Sequence, residues 1–418
     1  MKKRLLSLFS GCGGMDLGFE GNFWVHTPCV NKNIHPDWVQ QEVNDLALLK
    51  STSFETVFAN DILPFAKAAW VPYFLKRGKN ESVFHLESIV NLVKKHNTDD
   101  FSFPEEIDVV TGGFPCQDFS VAGKRKGFNS HKSHKGQLNE EIDDPTTENR
   151  GMLYSWMREV IQITKPKIFI AENVKGLVSL GDAKKIIEHD FRNIDKGYYV
   201  LPAKVLFAPD YGVPQRRERV IFIGISRRHS KKIVSKIYES NNTEGALSPY
   251  PRATHYDFRS PQLGIFDNGL MPYVTTSQVL YDLPEPEKCI NDLSQMNFSK
   301  AKYGGQTQGQ TEIDLNWVGP TIRAEHHGNI EYRRLSLEHG GKHFEELKSG
   351  LIERRLTVRE CARIQTFPDD YEFVRYVRKN DTYNLSASSA YKIIGNAVPP
   401  LLAYNIAQRL EEIWEDIF

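Results

Sequence analysis

Short apolar runs recur along the chain, and several of them are followed by a turn and a segment with helical spacing of apolar residues. The runs span four to six residues, which suits buried strands, and glycine or proline often stands where they end. The predicted strands cover 4–9, 56–61, 108–111, 167–171 and 220–224, and the predicted helices cover 15–19, 62–70 and 401–413. This pattern favours an open α/β sheet, in which ligands and chemistry gather where the strands end.

The character of the chain changes between Ile225 and about Arg354. Glycine, proline, asparagine and serine become frequent there, strand-like pieces are short, and no long amphipathic helix is predicted. We therefore predict three parts, 1–225, 226–354 and 355–418, of which the last returns to the domain formed by the first.

A glycine-rich turn, Ser10-Gly-Cys-Gly-Gly14, follows the first predicted strand. Such a turn leaves backbone N–H groups free at the start of the next helix and suits a nucleotide-like cofactor, although it also serves plain packing of a strand on a helix. The site also needs an acid at the end of the next strand, about 20 residues on. Asp61 is the best match, and its late position implies an insertion within 21–54. A role for Asp61 as a helix N-cap is equally compatible with the sequence.

Cys116 stands in the run Thr111-Gly-Gly-Phe-Pro-Cys-Gln117, just beyond a predicted buried strand. The glycine pair is expected to break that strand and Pro115 to stiffen the turn, so that Cys116 is presented past the strand end. A lone cysteine in an apolar stretch is more often a small buried hydrophobe than a nucleophile. Only residues elsewhere in the chain can decide between these interpretations.

Six short motifs follow one another in a specific order. They are Phe9-Ser-Gly-Cys-Gly-Gly14, Phe114-Pro-Cys-Gln117, Ala171-Glu-Asn-Val174, Gln215-Arg-Arg-Glu-Arg219, Arg355-Leu-Thr-Val-Arg-Glu-Cys-Ala-Arg363 and Tyr391-Lys-Ile-Ile-Gly-Asn-Ala-Val-Pro399. Together they resemble the C5-cytosine DNA methyltransferase family over almost the full length of the chain. The resemblance implies a doubly wound, mostly parallel α/β sheet, the S-adenosylmethionine-dependent methyltransferase fold, with a smaller irregular target-recognition domain across a DNA-sized cleft.

The resemblance also implies a reaction. Cytosine C5 is too weak a nucleophile to take a methyl group directly, so the family adds a thiolate to C6, and Cys116 would be that thiolate. Glu172 would protonate or hydrogen-bond cytosine N3. Arg217 would lie near the nucleophile and the target backbone, and Arg219 near cytosine O2 and the glutamate. Without the family, Glu172 would be a helix cap or surface residue, and the arginines a solvated basic turn.

Cofactor contacts are implied for the two chain ends and for the ends of the early strands. The cofactor is S-adenosyl-L-methionine, with S-adenosyl-L-homocysteine as product. The candidate cofactor residues are Phe9, Ser10, Gly11, Cys12, Gly13, Gly14, Asp61, Glu87, Pro115 and Asn396. Glu87 is proposed because the family's Gly-Asp-Ile acid motif is missing here, and Asn396 is otherwise an ordinary turn residue.

The stretch after Cys116 resembles the family's mobile loop, which closes over DNA once the target base has flipped out. Its candidate DNA-binding residues are Ser120, Lys124, Arg125 and Lys126. In compact relatives an Arg-Gly step, here Arg150-Gly151, comes within a few residues, whereas here an insertion at 129–149 intervenes. We expect an extension that follows the DNA backbone, although a disordered spacer is equally compatible.

Base-reading side chains are densest at 320–329, in the predicted recognition part. Arg can fork onto guanine and Asn onto adenine, so Arg323, His326, His327 and Asn329 are the candidate readers. A hydrogen-bonded structural loop is as good an interpretation for any one of them. The adjacent histidines lack a third ligand at suitable spacing, so no metal is predicted.

Composition agrees with a nucleic-acid enzyme only through its local distribution. The 418 residues carry 53 Lys and Arg and 53 Asp and Glu, so the formal net charge is zero. The segment 119–139 nevertheless contains five lysines or arginines and no acid, and Glu218 is the only acid within 216–236. Such segments could neutralise DNA phosphates. Solvated loop faces are the alternative.

Five scattered cysteines without a CxxC pair suggest neither a disulfide framework nor a zinc knuckle, and favour a reduced, cytoplasmic setting. The N-terminus runs straight into the glycine loop, which argues against a cleaved signal, and no apolar run is long enough to span a membrane.

The sequence therefore predicts sequence-specific methylation of cytosine C5 in double-stranded DNA by a monomer, beside a cognate restriction endonuclease as a genetic partner. Alternatives are a transfer-RNA methyltransferase with the same motifs and a catalytically inactive DNA-binding relative. The intact Cys116, Glu172 and Arg217 argue against an inactive relative. A Rossmann oxidoreductase would explain only the first glycines.

Overall fold

The computed structural model describes residues 2–115, 152–179, 182–239, 244–260, 269–305, 307, 309–324, 330–376 and 382–418. Several predicted functional residues lie outside these ranges. They are Cys116, Ser120, Lys124, Arg125, Lys126, the insertion at 129–149, His326, His327 and Asn329.

A central sheet of eight strands organises the described residues. Its strands are β1 (Lys3–Leu8), β5 (Phe54–Asp61), β6 (Phe84–Leu86), β7 (Val109–Gly113), β8 (Ile168–Val174), β9 (Tyr198–Val200), β10 (Lys204–Phe207) and β11 (Glu218–Ser226). The order is β10-β11-β8-β7-β1-β5-β6, and β9 also pairs with β11. The pairs among β6, β5, β1, β7 and β8 are parallel, whereas β11 runs antiparallel to its neighbours. The sheet confirms the predicted α/β, mostly parallel fold.

Helices cover both faces of this sheet. One face carries α1 (Gly14–Glu20), α2 (Pro64–Lys76) and α12 (Pro400–Ile417), and the other carries α3 (Ile89–Asn97), α4 (Leu153–Thr164) and α5 (Ala183–Arg192). The alternation of side chains along a strand explains the two cores, because Leu5 packs with the first group and Leu6 and Leu8 with the second.

Smaller elements complete the chain. The predicted insertion within 21–54 folds as a three-stranded sheet of β2 (Trp24–His26), β3 (Val39–Val43) and β4 (Leu46–Leu49). Further on lie α6 (Lys232–Glu239), β12 (His255–Tyr256), β13 (Met271–Pro272), α7 (Thr276–Leu280), α8 (Leu293–Met296), β14 (Tyr332–Arg334), α9 (Phe344–Lys348), β15 (Arg354–Arg355), α10 (Val358–Ile364) and α11 (Ala387–Asn396). Short 3-10 helices cover Thr27–Cys29, Glu81–Val83, Lys175–Ser179, Ala208–Tyr211 and Pro286–Lys288.

The two ends of the chain meet, as predicted. Helix α12 packs mainly on α1, and its Trp414 ring also lies 5.0 Å from the Lys3 ammonium at the start of β1. Glycine permits the close approach, because a Cβ at Gly14 would lie 2.2 Å from the Val398 carbonyl oxygen. A Cβ at Gly18 would lie 2.3 Å from the Pro400 carbonyl oxygen.

One expectation about local structure was wrong. Gly112 and Gly113 do not break the strand before Cys116, since both belong to β7 and pair with β1 and β8. Their lack of a side chain serves packing rather than a turn. A Cβ at Gly112 would lie 2.9 Å from the Met157 sulfur, and one at Gly113 would lie 2.8 Å from Glu172 Oε2.

The residues between 226 and 354 do form short elements, the longest described being the eight-residue α6. Their apolar side chains, among them Val279, Ile322 and Ile330, join the core that holds α1 and α12. The boundaries at 225 and 354 stay a prediction. Among the described residues no helix is both long and apolar enough to cross a membrane.

Candidate active site

Glu172 and Arg219 face each other at the end of the sheet where β7 and β8 finish. Ile221 lies opposite Glu172 in the antiparallel pair of β8 and β11, so Arg219 is the diagonal neighbour of Glu172 on the same face. Arg219 Nε lies 2.5 Å from Glu172 Oε1, and both side chains are about nine-tenths buried. The sheet register thus brings together two residues that stand 47 positions apart in the sequence.

Burial raises the pKa of the Glu172 carboxyl above its ordinary value, and the positive charges of Arg219 and Arg217 lessen the rise. Burial favours the neutral carboxyl, which can donate a hydrogen bond or a proton. This property suits a group that must donate to a ring nitrogen. Gly113 lies beside it in the parallel register of β7 and β8, and any side chain there would meet Glu172 Oε2. Glycine therefore keeps the space beside the carboxyl free.

The chain leaves β7 toward Cys116 directly beside this carboxyl. Phe114 is buried, and its carbonyl oxygen accepts a 3.2 Å hydrogen bond from Asn173 Nδ2, the residue after Glu172. Pro115 is the last residue described before Cys116. The covalent chain thus places Cys116 three residues beyond Gly113.

Arg217 is fully buried and holds backbone rather than facing a cleft. Its Nη1 donates to the Ile322 carbonyl oxygen at 3.0 Å, and its Nη2 donates to those of Gly395 and Ala397 at 2.8 and 2.7 Å. One guanidinium therefore joins the arginine motif to the predicted recognition segment and to both neighbours of Asn396. In the described conformation Arg217 is a positioning residue.

The glycine loop is tied to the end of β5. Gly11 N–H donates to Asp61 Oδ2 at 2.9 Å. Ser10 N–H donates to the Asn60 carbonyl oxygen at 2.8 Å, and Asn60 N–H donates to Ser10 Oγ at 3.1 Å. Asp61 Oδ1 accepts the Leu63 N–H at 2.9 Å. The N-cap residue of α2 is Leu63, so Asp61 is not the helix N-cap that the sequence left open. Burial raises the pKa of Asp61, and these backbone donors lessen the rise.

The other candidate cofactor residues surround this loop. Glu87 follows β6, which pairs with β5, and Asn60 Nδ2 donates to its carbonyl oxygen at 2.8 Å. Although partial burial opposes ionisation, hydrogen bonds from Asn91, Lys95 and the Ser88 N–H lower the pKa of Glu87. Asn396 is the exposed last residue of α11, within the segment that reaches Gly14 through Val398.

Cys12 and Gly13 of the glycine loop have structural roles. Cys12 is fully buried with its thiol 3.6 Å from the Ile393 carbonyl oxygen, and burial raises its pKa. Gly13 has φ +72°, a left-handed conformation that favours glycine, and its Cα lies against Trp70 and Phe74. Residues Phe9, Ser10 and Gly11 are only partly buried, so they form the exposed rim of the loop.

This arrangement fits a bound S-adenosyl-L-methionine. A Cβ at Gly11 would meet nothing within 4 Å, so the exposed side of the loop opens into free space at the ends of β1 and β5. Carboxylates at Asp61 and Glu87 and the amide of Asn396 supply polar groups for hydroxyl and amino functions. No group of His, Cys, Asp or Glu placed to bind a metal ion occurs in the described part of the chain.

Arg323 is the one candidate base reader within the described ranges. Its Nη2 lies 3.3 Å from Glu331 Oε1, and both side chains are largely buried. Its backbone packs on Gly395, where a Cβ would lie 2.2 Å from the Arg323 carbonyl carbon. In this conformation Arg323 joins the recognition segment to α11.

Sequence reasoning gave no individual role to Gln215 or Arg216, which lie inside the arginine motif, although 216–236 was considered as a phosphate-binding segment. Gln215 is fully buried, donates to the Ile364 carbonyl oxygen at 3.3 Å and accepts the Ile322 N–H at 3.0 Å. Arg216 is exposed. The sequence shows that Gln215 and Arg216 are neighbours in a basic motif. Which of the two side chains faces solvent depends on the segments that pack around them in the folded chain.

Comparison with known proteins identifies the family to which this chain belongs. A family model described as C-5 cytosine-specific DNA methylase matches residues 3–412. The type II methyltransferase M.NgoFVII of Neisseria gonorrhoeae is 28% identical over 435 residues, covering 99% of this chain and 88% of the relative. The type II methyltransferase M.BspRI of Lysinibacillus sphaericus is 30% identical over 423 residues, covering 99% of this chain and 83% of the relative.

Solved structures share the fold. The Dnmt2 methyltransferase of S. pombe superposes with a TM-score of 0.52 at 16% identity, over 99% of each chain. A DNMT2 variant of Spodoptera frugiperda superposes with a TM-score of 0.53 at 16% identity, over 98% of this chain and all of that one. At such identity the likeness concerns the fold.

Proposed function

We propose, because this chain belongs to the C-5 cytosine-specific DNA methylase family, that its reaction centre consists of Cys116, Glu172 and Arg219. The enzyme methylates cytosine C5 in DNA in a sequence-specific manner. The observation that carries the proposed centre is the buried pair of Glu172 and Arg219 at the strand end from which the chain leads into Cys116.

Cys116 is the proposed nucleophile. Its thiolate forms a bond to cytosine C6, and the electron pair of the C5–C6 double bond moves into the ring toward N3. Glu172 supplies a proton or a hydrogen bond at N3, and Arg219 donates to O2, so negative charge does not accumulate on the ring. C5 then takes the methyl group. Loss of the C5 proton to solvent supplies the electron pair that forms the C5–C6 double bond again, the thiolate leaves, and Glu172 regains its proton from N3.

The protonation state of Glu172 suits this role. Burial raises its pKa and so favours the neutral carboxyl that can donate to N3, and the positive charge of Arg219 lessens that rise. Arg217 acts through the backbone that it binds, because its donors reach carbonyl oxygens of Ile322, Gly395 and Ala397.

S-adenosyl-L-methionine, when bound, supplies an electrophilic methyl group, and S-adenosyl-L-homocysteine is the product. Phe9, Ser10, Gly11, Asp61, Glu87 and Asn396 would hold it at the ends of β1, β5 and β6. The open space at Gly11 supports this assignment. Cys12, Gly13 and Gly14 shape the loop from behind.

Double-stranded DNA is the proposed substrate, read by the part at 226–354 while the rest of the chain holds the target base. A cytosine inside a duplex must leave the stack before Cys116 can reach C6, which takes a few kcal/mol. The type II relatives support a role beside a restriction endonuclease as a genetic partner. A monomeric enzyme in the cytoplasm is part of the proposal.

Methyl transfer to DNA tests the proposal directly. Purified protein with methyl-labelled S-adenosyl-L-methionine should label duplex DNA and not transfer RNA, and bisulfite sequencing of DNA from expressing cells should find the methyl group at C5. Cys116→Ala should abolish labelling, whereas Cys289→Ala, a partly buried cysteine 3.5 Å from the Asp292 carbonyl oxygen, should retain it. Labelling by the Cys116→Ala variant would overturn the mechanism.

A further inference from the structure

We propose that Arg216 contacts the phosphate backbone of the bound DNA beside the target cytosine. This inference rests on the proposed function, because it names a contact of the same substrate. It assigns to Arg216 the backbone contact that family resemblance had assigned to Arg217. Three observations carry it, namely the exposure of Arg216, the fixed position of its backbone and the burial of Arg217.

The Arg216 side chain is exposed and uncommitted. Its guanidinium makes no hydrogen bond or ion pair with any residue that the structure describes. Other basic residues nearby are paired, for example Arg219 with Glu172 and Lys175 with Glu218 at 2.6 Å. An exposed arginine without a partner among the described residues is available for a phosphate, which it binds with matched geometry.

The backbone of Arg216, in contrast, is held firmly. Its N–H donates to the Gly319 carbonyl oxygen at 2.8 Å, and its carbonyl oxygen accepts a hydrogen bond from the Thr321 hydroxyl. Gln215 adds a third link to the same segment through the Ile322 N–H. The side chain therefore projects from the seam between the reaction centre and the recognition segment, where DNA must lie to reach both.

Arg217 has no donor at the surface. Its side chain is 0% exposed, and its Nη atoms donate to three carbonyl oxygens on two separate segments. Reaching a phosphate would require breaking those contacts and leaving buried carbonyl groups unsatisfied. The alternation of side chains along the segment that enters β11 turns Arg217 and Arg219 inward and Arg216 outward.

Measured salt dependence can isolate a single phosphate contact. Each phosphate neutralised by a protein adds about 0.9 to the slope of log Kd against log salt. Arg216→Gln should therefore lower the slope by about 0.9, and the ratio of variant to wild-type Kd should shrink about threefold between 50 and 200 mM salt. The loss should be equal on the methylated target duplex and on a shuffled duplex, because phosphate contacts carry no sequence information.

Matched variants separate charge from structure. Arg216→Lys keeps a point charge and should retain most of the slope. Lys232→Gln removes an equally exposed cation beyond the far end of β11, about 27 Å along the strand, and should leave the slope unchanged. Rates measured over a range of DNA concentrations should give a raised KM for DNA in Arg216→Gln. At saturating DNA its kcat should stay within about threefold of wild type, because the reaction centre is intact.

Clear results would overturn the inference. An Arg216→Gln slope equal to that of wild type, or an Arg216→Lys slope as low as that of Arg216→Gln, would exclude a charge contact. A wild-type protein that neither binds nor methylates duplex DNA would instead refute the proposed function, so the two failures are distinguishable.

Discussion

Glu172 combines two opposing influences at one carboxyl group. Burial favours its neutral form, and the guanidinium group 2.5 Å away favours the ionised form, with burial the larger effect. A group in this balance changes its proton occupancy readily when one influence is removed. Its pH dependence is therefore a sensitive probe of the site.

We predict that Glu172→Gln lowers the rate of methyl transfer by roughly 10²–10⁴-fold, the usual contribution of a positioned acid. In the wild type, the rate should fall as pH rises through the pKa of Glu172, because the carboxyl then loses the proton that N3 needs. Arg219→Leu should move this fall to higher pH, since it removes the charge that lowers the pKa. Single-turnover rates across pH measure both effects.

Arg219→Lys is the matched control, because it retains a positive charge near Glu172. It should shift the pH profile less than Arg219→Leu does, even if both variants are slow. A shift of the Arg219→Leu profile to lower pH would contradict the assignment of Glu172 as the proton donor.

At the scale of elements, three arginines after residue 330 form ion pairs with acids that lie about 50 to 70 residues earlier in the sequence. Arg354 lies 2.8 Å from both Glu285 and Glu360, and Arg334 lies 2.9 Å from Glu285. Arg359 pairs with Asp292 at 2.6 Å. These contacts attach β14, β15 and α10 to the segment around the 3-10 helix at Pro286–Lys288 and α8.

The start of α10 was readable from the sequence, whereas its ion pairs were not. Thr357 and Glu360 form a capping box, whose Thr-x-x-Glu spacing is visible in the late helix motif. No local pattern connects that motif with Glu285 or Asp292, because the acids lie about 70 residues earlier. Their pairing depends on how the chain between them folds.

We predict that Glu285→Gln lowers the free energy of unfolding by about 2 kcal/mol at neutral pH, because Arg354 and Arg334 each lose one of their two charged partners. Arg354 and Arg334 hold the pKa of Glu285 at about 2 against an opposing effect of burial. The stabilisation is complete above the ordinary value of 4.5 and is lost as pH falls toward 2. The difference between wild type and variant should therefore narrow in that window.

Urea unfolding at several pH values measures this difference. Glu345→Gln is the control, since its side chain is 87% exposed and pairs with Lys348 on the surface. It should change the free energy of unfolding by less than about 0.5 kcal/mol at any pH. A Glu285→Gln variant as stable as this control would contradict the proposed importance of the buried ion pairs.

At the scale of the molecule, one apolar core connects the three predicted parts. Leu17 of α1, Ile322 of the recognition segment and Leu402 of α12 belong to the same cluster of buried side chains. Arg217 adds polar links between the same parts. The part at 226–354 therefore buries its apolar side chains against the rest of the chain and does not form a separate core of its own.

We predict that an isolated fragment of residues 226–354 does not fold, because its apolar residues lack their partners on α10, α11 and α12. The whole chain should unfold in one cooperative step, with the same midpoint by tryptophan fluorescence and by far-ultraviolet circular dichroism. A fragment that melts cooperatively, or two separated transitions of the whole chain, would show independent domains.

The sequence by itself determined the fold class and the chemistry of the candidate site. Apolar runs followed by glycine turns and helices predicted the parallel sheet, and six motifs identified the family and the residue types of its reaction. These features are local, since a strand needs only its own pattern and a motif only its own order. The carboxyl ends of parallel strands meet at one edge, so the approximate position of the site followed as well.

Only the tertiary structure decided which arginine is buried, which is exposed and what Glu172 contacts. Gly112 and Gly113 continue a strand because they pair with β1 and β8. Glycine suits these positions because Met157 and Glu172 leave no room for a side chain, and no local pattern reveals those neighbours. Arg217 reaches carbonyl oxygens more than 100 residues away, whereas the preceding residue in the same motif, Arg216, faces water. Burial, pKa and hydrogen-bond partners arise from segments that meet only in the folded chain.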